Sequence, residues 1–187
     1  MNQQHEYIGT RKLLIGIVLA VITFWLFANS LINVIPNLQT SFGSYLSTIS
    51  IAVSLTALFC GMFVVGAGSL ADYFGRVRLT IIGLWLNIFG SLLIIVSDYI
   101  PLLLMGRAIQ GLSAALIMPA TLSLIKAYYH GDKRQRALSL WSIGSWGGSG
   151  FASLFGGMIA TFLSWRWIFV FSIIVPLIAV LLSLIHI

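Results

Sequence analysis

The sequence predicts an all-α integral membrane protein with six transmembrane helices. Of its 187 residues, 59% are hydrophobic and only 7% are charged, whereas a soluble domain typically has about 25% charged residues. Long apolar runs also alternate with short polar segments, and about 20 apolar residues suffice for a helix to cross the hydrocarbon core. Because unpaired backbone groups are costly in lipid, each crossing is expected to be helical.

The six helices follow from the apolar runs in order. No charge occurs between Lys12 and Asp72, a run long enough for two crossings. A polar turn is predicted inside this run by Pro36, Asn37, Gln39, Ser41, Gly43 and Ser44. After an N-terminal segment of residues 1–12, the helices are expected at residues 13–35, 47–70, 80–97, 101–125, 138–162 and 167–186.

The basic residues predict the orientation. If the spans alternate, one side of the membrane receives Arg11, Lys12, Arg76, Arg78, Lys126, Lys133, Arg134 and Arg136. The other side receives only Arg166, and Arg107 lies within a span. Because cytoplasmic loops carry the excess of bases, both termini are expected to be cytoplasmic, in a multi-pass protein of the plasma membrane.

The composition argues against several other classes of function. The net charge of +6 does not indicate a nucleic-acid partner, because the bases lie between apolar runs as membrane topology requires. Cys60 is the single cysteine, and the sequence has no disulfide framework, metal-ligand cluster or nucleophile–base pair. We therefore expect a lipid-embedded protein that is not an enzyme and needs no metal or other cofactor.

The segment of residues 68–78, Gly-Ser-Leu-Ala-Asp-Tyr-Phe-Gly-Arg-Val-Arg, is the most specific motif. It resembles the loop between helices 2 and 3 of the major facilitator superfamily, G-x-L-A-D-R-x-G-R-K, with Tyr73 and Val77 as departures. The resemblance implies a six-helix half of that fold, built as a three-plus-three repeat. It also implies a cytoplasmic gate formed by Gly68, Asp72, Gly75 and Arg76. An acid at a helix end, such as Asp72, can accept hydrogen bonds from a neighbouring loop or helix N-terminus. The alternative is a generic positively charged turn.

Helix 4 contains Arg107-Ala108-Ile109-Gln110-Gly111. A charge at this depth costs roughly 2.5–3.5 kcal/mol on insertion scales, so Arg107 and Gln110 are expected to face the bundle interior. The segment resembles the family pattern R-x-x-Q-G, and the resemblance implies a role for Arg107 in proton coupling. The alternative is a structural arginine that bonds to backbone carbonyls or extends to the membrane surface.

Helix 5 has small residues four apart: Gly144, Gly148, Ala152, Gly156 and Ala160. They predict a ridge on which another helix packs closely. The segment resembles the family's antiporter motif, which ends G-x-x-x-G-P-x-x-G-G, at Gly148, Gly156 and Gly157. Ala152-Ser153 replaces Gly-Pro, and this departure weakens the implication of antiport.

Helices 6 and 1 contain further candidates. Trp165-Arg166-Trp167-Ile168-Phe169 is typical of a membrane-interface anchor. The same pentapeptide resembles the signature of the fourteen-helix drug:proton antiporter subfamily. In helix 1, Ala28 occupies the position of that subfamily's acid, and Trp25, Asn29 and Asn33 are expected to line a cavity or to bond between helices.

The function expected from these resemblances is proton-coupled multidrug efflux, with this chain as the N-terminal half. The four acids, Glu6, Asp72, Asp98 and Asp132, all lie outside the predicted spans, so the coupling acid is expected in a second half. Substrates in this superfamily lie between two halves. With one half alone the protein is expected to be inactive; once completed, it would take lipophilic or cationic drugs and protons. A truncated, non-transporting fragment, to which the abrupt end at Ile187 points, and half of a solute importer are the alternatives.

Overall fold

The computed structural model describes residues 10–184, apart from the side chains of residues 26–29, 153, 160 and 182–184. Its elements are α1 (Arg11–Ser30), a 3₁₀ turn (Leu31–Val34), α2 (Ile35–Phe42), α3 (Leu46–Phe74), α4 (Arg76–Ile95), α5 (Ile100–Tyr128), α6 (Gly131–Ser142), a π-helical segment (Ile143–Gly147), α7 (Gly148–Phe162) and α8 (Arg166–Leu184). Within residues 10–184 the chain forms no β-strand.

These elements form six helical rods. The first rod is α1, the 3₁₀ turn and α2; α3, α4 and α5 are single helices; the fifth rod is α6, the π-helical segment and α7; and α8 is the sixth. In the described part of the chain, α3, α4 and α5 are each long and apolar enough to cross a membrane. The interruptions in the first and fifth rods divide them into shorter helices.

The rods pack as two equivalent triplets. The fourth rod, α5, lies between α3 and α4, which are its most extensive neighbours. In the same way the first rod lies between α7 and α8, while α4 and α8 pack against each other. Rods one to three form one triplet and rods four to six form the other. The first rod of each triplet therefore packs between the second and third rods of the other triplet, as expected for a three-plus-three repeat.

Two close approaches hold α5 between its neighbours. A Cβ added at Gly106 would lie 2.8 Å from the carbonyl oxygen of Gly90 on α4. A Cβ added at Gly111 would lie 2.6 Å from the carbonyl oxygen of Thr56 on α3. Small residues therefore bring the three backbones together, which is the usual way in which membrane helices associate.

The first connection is shorter than predicted. Residues 36–42 do not form a turn but most of α2, which has Pro36 in its first turn, where the missing N–H of proline costs nothing. The hydroxyl of Thr40 also donates to the carbonyl oxygen of Asn37 within the helix. The turn is confined to residues 43–45, and Gly43 ends α2 with a φ of 57°, a conformation that favours glycine.

The second connection is also shorter than predicted, because α3 continues to Phe74 and α4 begins at Arg76. Only Gly75, with a φ of 95°, separates the two helices. Charged residues near the ends of these helices suggested a loop, but water outside the membrane solvates them equally well in a helix. For the same reason α5 extends to Tyr128, beyond the predicted end at residue 125.

The predicted helix at residues 138–162 is not one α-helix. It begins earlier, with α6 at Gly131, and the π-helical segment Ile143–Gly147 divides it. A single widened turn of this kind is frequently found at functional sites. At the other helix ends the structure differs less: α4 ends at Ile95 instead of residue 97, and α8 begins at Arg166 instead of residue 167.

Candidate functional site

Arg107 is completely enclosed in the bundle, with 1% of its surface exposed. Its Nε and Nη2 atoms donate to the carbonyl oxygens of Ala52 (3.2 Å) and Val53 (3.3 Å) on α3. Its Nη1 atom donates to Oε1 of Gln110 at 2.9 Å. The side chain therefore does not extend to the membrane surface, and backbone and amide oxygens surround its charge.

A chain of hydrogen bonds continues from Arg107 across two further helices. Nε2 of Gln110 donates to Oγ of Ser91 on α4 at 2.9 Å, and Ser91 donates to Oγ of Ser172 on α8 at 3.1 Å. Nδ2 of Asn87 donates to the carbonyl oxygen of Ser172 at 2.9 Å and to its Oγ at 3.1 Å. We call Arg107, Gln110, Ser91, Ser172 and Asn87 the buried polar chain, because each is at most 6% exposed. It connects α3, α5, α4 and α8.

Three members of the buried polar chain are absent from the sequence predictions: Asn87, Ser91 and Ser172. Asn87 carried a usable signal, because it is the one side-chain amide in the predicted helix 80–97, and polar groups inside a membrane span are functional candidates by default. Ser91 follows it by four residues and therefore lies on the same helical face. Ser172 had no comparable signal.

The predicted gate lies where α3, α4 and α5 meet. Arg76 donates from Nη2 to Oδ1 of Asp72 at 3.1 Å and from Nη1 to the carbonyl oxygen of Ser123 on α5 at 3.3 Å. The donor to Asp72 is thus the side chain of Arg76 at the start of α4, not the backbone of a neighbouring loop or helix N-terminus. Gly68 approaches Pro119 of α5, with 3.9 Å between an added Cβ and the proline Cβ. A shallow pocket of about 500 Å³ adjoins Asp72, Gly75 and Arg76.

Trp25 and Asn33 are not members of the buried polar chain. Trp25 stacks on Trp146 of the π-helical segment, with ring centroids 5.9 Å apart and planes inclined by 24°. Asn33 lies in the 3₁₀ turn with an exposed side chain. The side chain of Asn29 falls outside the described part of the structure.

The small-residue ridge packs against α1. Gly144, Gly148, Ala152 and Gly156 are all buried. The hydroxyl of Ser30 donates to the carbonyl oxygen of Ala152 at 3.2 Å, and a Cβ added at Gly156 would lie 2.9 Å from the carbonyl oxygen of Ser30. Gly157 does not belong to the ridge, because a Cβ added there meets nothing within 4 Å.

Trp165 and Arg166 do more than anchor the chain at an interface. Trp165 is only 2% exposed, and its Nε1 atom donates to Oγ of Ser41 at 3.1 Å. Arg166 donates to the carbonyl oxygens of Ile95 and Ser97, both at 3.1 Å, and its Cζ lies 4.6 Å from the Trp165 ring centroid. The pair therefore ties the start of α8 to the ends of α2 and α4, while Trp167 remains 45% exposed.

The two ends of the bundle differ in charge. One core cluster brings together the start of α1 with the end of α5 and α6, through Leu13, Leu124 and Ala137. Tyr129 also donates from Oη to the carbonyl oxygen of Thr10 at 2.7 Å. The bases that flank these segments consequently lie at one end of the bundle. Arg166 lies at the opposite end, beside Asp98 at 3.4 Å.

Comparison with curated proteins finds close relatives of the whole described bundle. This chain is 68% identical over 174 residues to the quinolone resistance protein NorB of Staphylococcus aureus strains JH9 and Newman. The match covers 93% of this chain and 38% of those proteins. The chain thus spans well under half the length of the curated relatives it matches. The expected resemblance to drug exporters is confirmed by these quinolone resistance proteins.

Solved structures share the fold at low sequence identity. A peptide transporter POT in complex with sulfate superposes with a TM-score of 0.81 at 16% identity, covering 99% of this chain and 41% of that one. A bacterial homologue of the lysosomal transporter Spinster, inward-facing and unoccupied, gives 0.77 at 19% identity, with 95% and 43% covered. The predicted fold class, a six-helix half of a transporter, is confirmed. The model of the Major Facilitator Superfamily matches residues 13–187, and the chain belongs to that family.

Proposed function

We propose that residues 13–187 form the N-terminal half of a proton-coupled multidrug efflux transporter of the bacterial plasma membrane. The observation that carries the proposal is the 68% identity, over 93% of the chain, to proteins named for quinolone resistance. Transporters of this kind hold the substrate between two six-helix halves. These residues therefore supply one wall of the binding site and do not transport drugs alone.

The proposed substrates are lipophilic and often cationic drugs, quinolones among them. Support comes from the names of the relatives and from the aromatic side chains on the bundle surface, such as Trp146, Phe151 and Phe155. The importer alternative is not favoured, because no relative reported above is named for uptake into the cell and the helix 6 motif is that of exporters.

Arg107 is proposed to take part in proton coupling as a fixed positive charge. A guanidinium keeps its charge in proteins, and the buried polar chain holds it against three other helices. The proton itself must bind elsewhere, because all four acids of the chain lie outside the predicted spans. We propose that an acid of the second half binds it, and that Arg107 responds to the charge of that acid.

Both termini are proposed to be cytoplasmic. The support is the gathering of bases at the end of the bundle where α1 begins and α5 ends, with Arg166 at the other end. This distribution matches the rule that cytoplasmic loops are rich in lysine and arginine. The outer faces of the helices then contact the lipid bilayer.

The segment around Asp72 and Arg76 is proposed to be a cytoplasmic gate, since Arg76 links the end of α3 to α5. In a complete transporter, Asp72→Asn should lower the efflux rate several-fold without lowering membrane insertion. Asparagine keeps the size of the side chain but removes the charge that Arg76 contacts. Asp132→Asn, at an exposed acid of α6, is the matched control, and equal efflux in both variants would remove Asp72 from the mechanism.

The experiment that tests the proposed function joins residues 1–187 to the part of S. aureus NorB that follows the matched region. The joined protein is expressed in cells that lack their own exporters, and efflux of ethidium and of a quinolone is followed with and without a collapser of the proton gradient. The proposal predicts gradient-dependent efflux. Correct insertion without efflux of either compound would contradict it.

A further inference from the structure

Trp25 and Trp146 form an aromatic pair on the bundle surface. Their ring centroids are 5.9 Å apart and their planes are inclined by 24°, a stacked arrangement. Phe24 supports Trp25 edge-on, with 5.4 Å between ring centroids. Trp146 is 72% exposed, so much of its ring surface is not covered by Trp25 or by any other described side chain.

The depth of this pair is unusual for tryptophan. Trp25 lies fourteen residues after the start of the first rod at Arg11 and seventeen before its end at Phe42. Trp146 lies fifteen residues after Gly131 and sixteen before Phe162, the ends of the fifth rod. At about 1.5 Å per residue, both rings are roughly 12–24 Å from the ends of the predicted spans 13–35 and 138–162. Tryptophans that anchor a membrane protein lie at the two interfaces instead.

Trp146 belongs to the π-helical segment. This segment extends from Ile143 to Gly147 and widens the helix by one residue in that turn. Gly144 holds the segment against α1, since an added Cβ would lie 3.3 Å from Val18 and Ile22. At Gly147 an added Cβ would meet only Ile143, at 3.7 Å. The backbone is thus held against α1 at Gly144, whereas the contact beside Gly147 is with Ile143 of the same segment.

We propose that Trp146, backed by Trp25, is a stacking platform for planar aromatic drugs. The inference rests on the proposed function and adds a named site and a preferred ligand shape. A flat ring system can extend the existing stack on the uncovered surface of Trp146, and a positive charge on the ligand adds attraction to the negative ring face. A lipid acyl chain gains nothing comparable from a stacked pair. The depth of the platform suits a site near the bilayer midplane.

The test measures binding and so does not depend on transport. The chain is placed in lipid nanodiscs, and ethidium, a planar cation, is titrated by fluorescence anisotropy. Tetraphenylphosphonium, whose four rings cannot lie flat together, is titrated as the non-planar comparison. The variants are Trp146→Leu, Trp146→Phe, which keeps a ring, and Trp167→Leu, a control at another exposed tryptophan.

Loss of the stack in Trp146→Leu should raise the Kd for ethidium about tenfold, with a smaller rise in Trp146→Phe and none in Trp167→Leu. The Kd for tetraphenylphosphonium should change by less than about twofold in every variant. Three results would each overturn the platform: an unchanged Kd for ethidium in Trp146→Leu, an equal rise in Kd for both cations, or no saturable binding of ethidium to the parent chain. Trp146-dependent binding without efflux from the joined protein would contradict the proposed function and leave the platform standing.

Discussion

Ser172 connects two helices through a single hydroxyl group. Its Oγ atom accepts hydrogen bonds from Asn87 and Ser91, both at 3.1 Å. Through Ser91 and Gln110 the connection reaches Arg107. Because these groups are buried, a donor that loses its acceptor cannot form a hydrogen bond to water instead. The position of the arginine therefore depends on a serine three hydrogen bonds away.

Removing this hydroxyl should destabilise the bundle measurably. Ser172→Ala leaves the Ser91 hydroxyl without its acceptor, at an expected cost of about 1–3 kcal/mol, or nearer 0.6 kcal/mol if the bond is typical of membrane helices. The measurement is the thermal midpoint of the purified protein. Ser139→Ala is the control, at an exposed serine on α6 whose hydroxyl donates to the carbonyl oxygen of Gln135. Equal midpoints would mean that the buried polar chain contributes little to stability.

One part of the buried polar chain was predictable from the sequence, and the other part was not, for a physical reason. Arg107 and Gln110 lie three residues apart on one helix, so their contact follows from helical spacing alone. Ser172 lies 81 residues from Ser91 and 85 from Asn87. Only the packing of α8 on α4 brings these residues together. The sequence around a serine in an apolar helix does not indicate which residue of another helix it contacts.

The small-residue ridge determines how closely α1 approaches α7. Gly156 faces the backbone of Ser30, whereas its neighbour Gly157 faces open space. The two adjacent glycines therefore offer a matched pair, with the same helix and the same backbone conformation but different surroundings.

Gly156→Ala should destabilise the protein, because the added methyl group would lie 2.9 Å from the carbonyl oxygen of Ser30. Overpacking of this kind typically costs about 1–3 kcal/mol. Gly157→Ala should be neutral or slightly stabilising, since alanine is favoured over glycine in a helix by about 1 kcal/mol. Thermal midpoints and expression levels of the two variants measure the difference. A ridge that does not contact α1 would give the same result for both.

The helices themselves were largely predictable, but their interruptions were not. Apolar runs longer than about 20 residues follow from bilayer thickness, so hydropathy alone indicated six helices. The ends at Phe74 and Arg76 were misplaced, because a charged residue outside the lipid is compatible with helix or loop. The π-helical segment at Ile143–Gly147 depends on packing against α1, which periodicity does not report.

For the whole molecule, charge asymmetry predicts the orientation. Cysteine introduced at Asp98, whose side chain is 90% exposed, should react with a membrane-impermeant reagent added outside intact cells. Cysteine introduced at Asp132, on the side of the clustered bases, should react only after the cells are opened. Both variants carry Cys60→Ser to remove the single native cysteine. Labelling of the Asp132 position in intact cells would reverse the orientation.

In the proposed transporter these six helices form one wall of a two-walled drug site. The most direct test is efflux of a fluorescent cation from cells or vesicles that contain residues 1–187 alone, with and without a proton-gradient collapser. No acid lies within the predicted spans and the site needs two halves, so the account predicts no gradient-dependent efflux. Gradient-dependent efflux from this chain alone, in a host without other exporters, would contradict it.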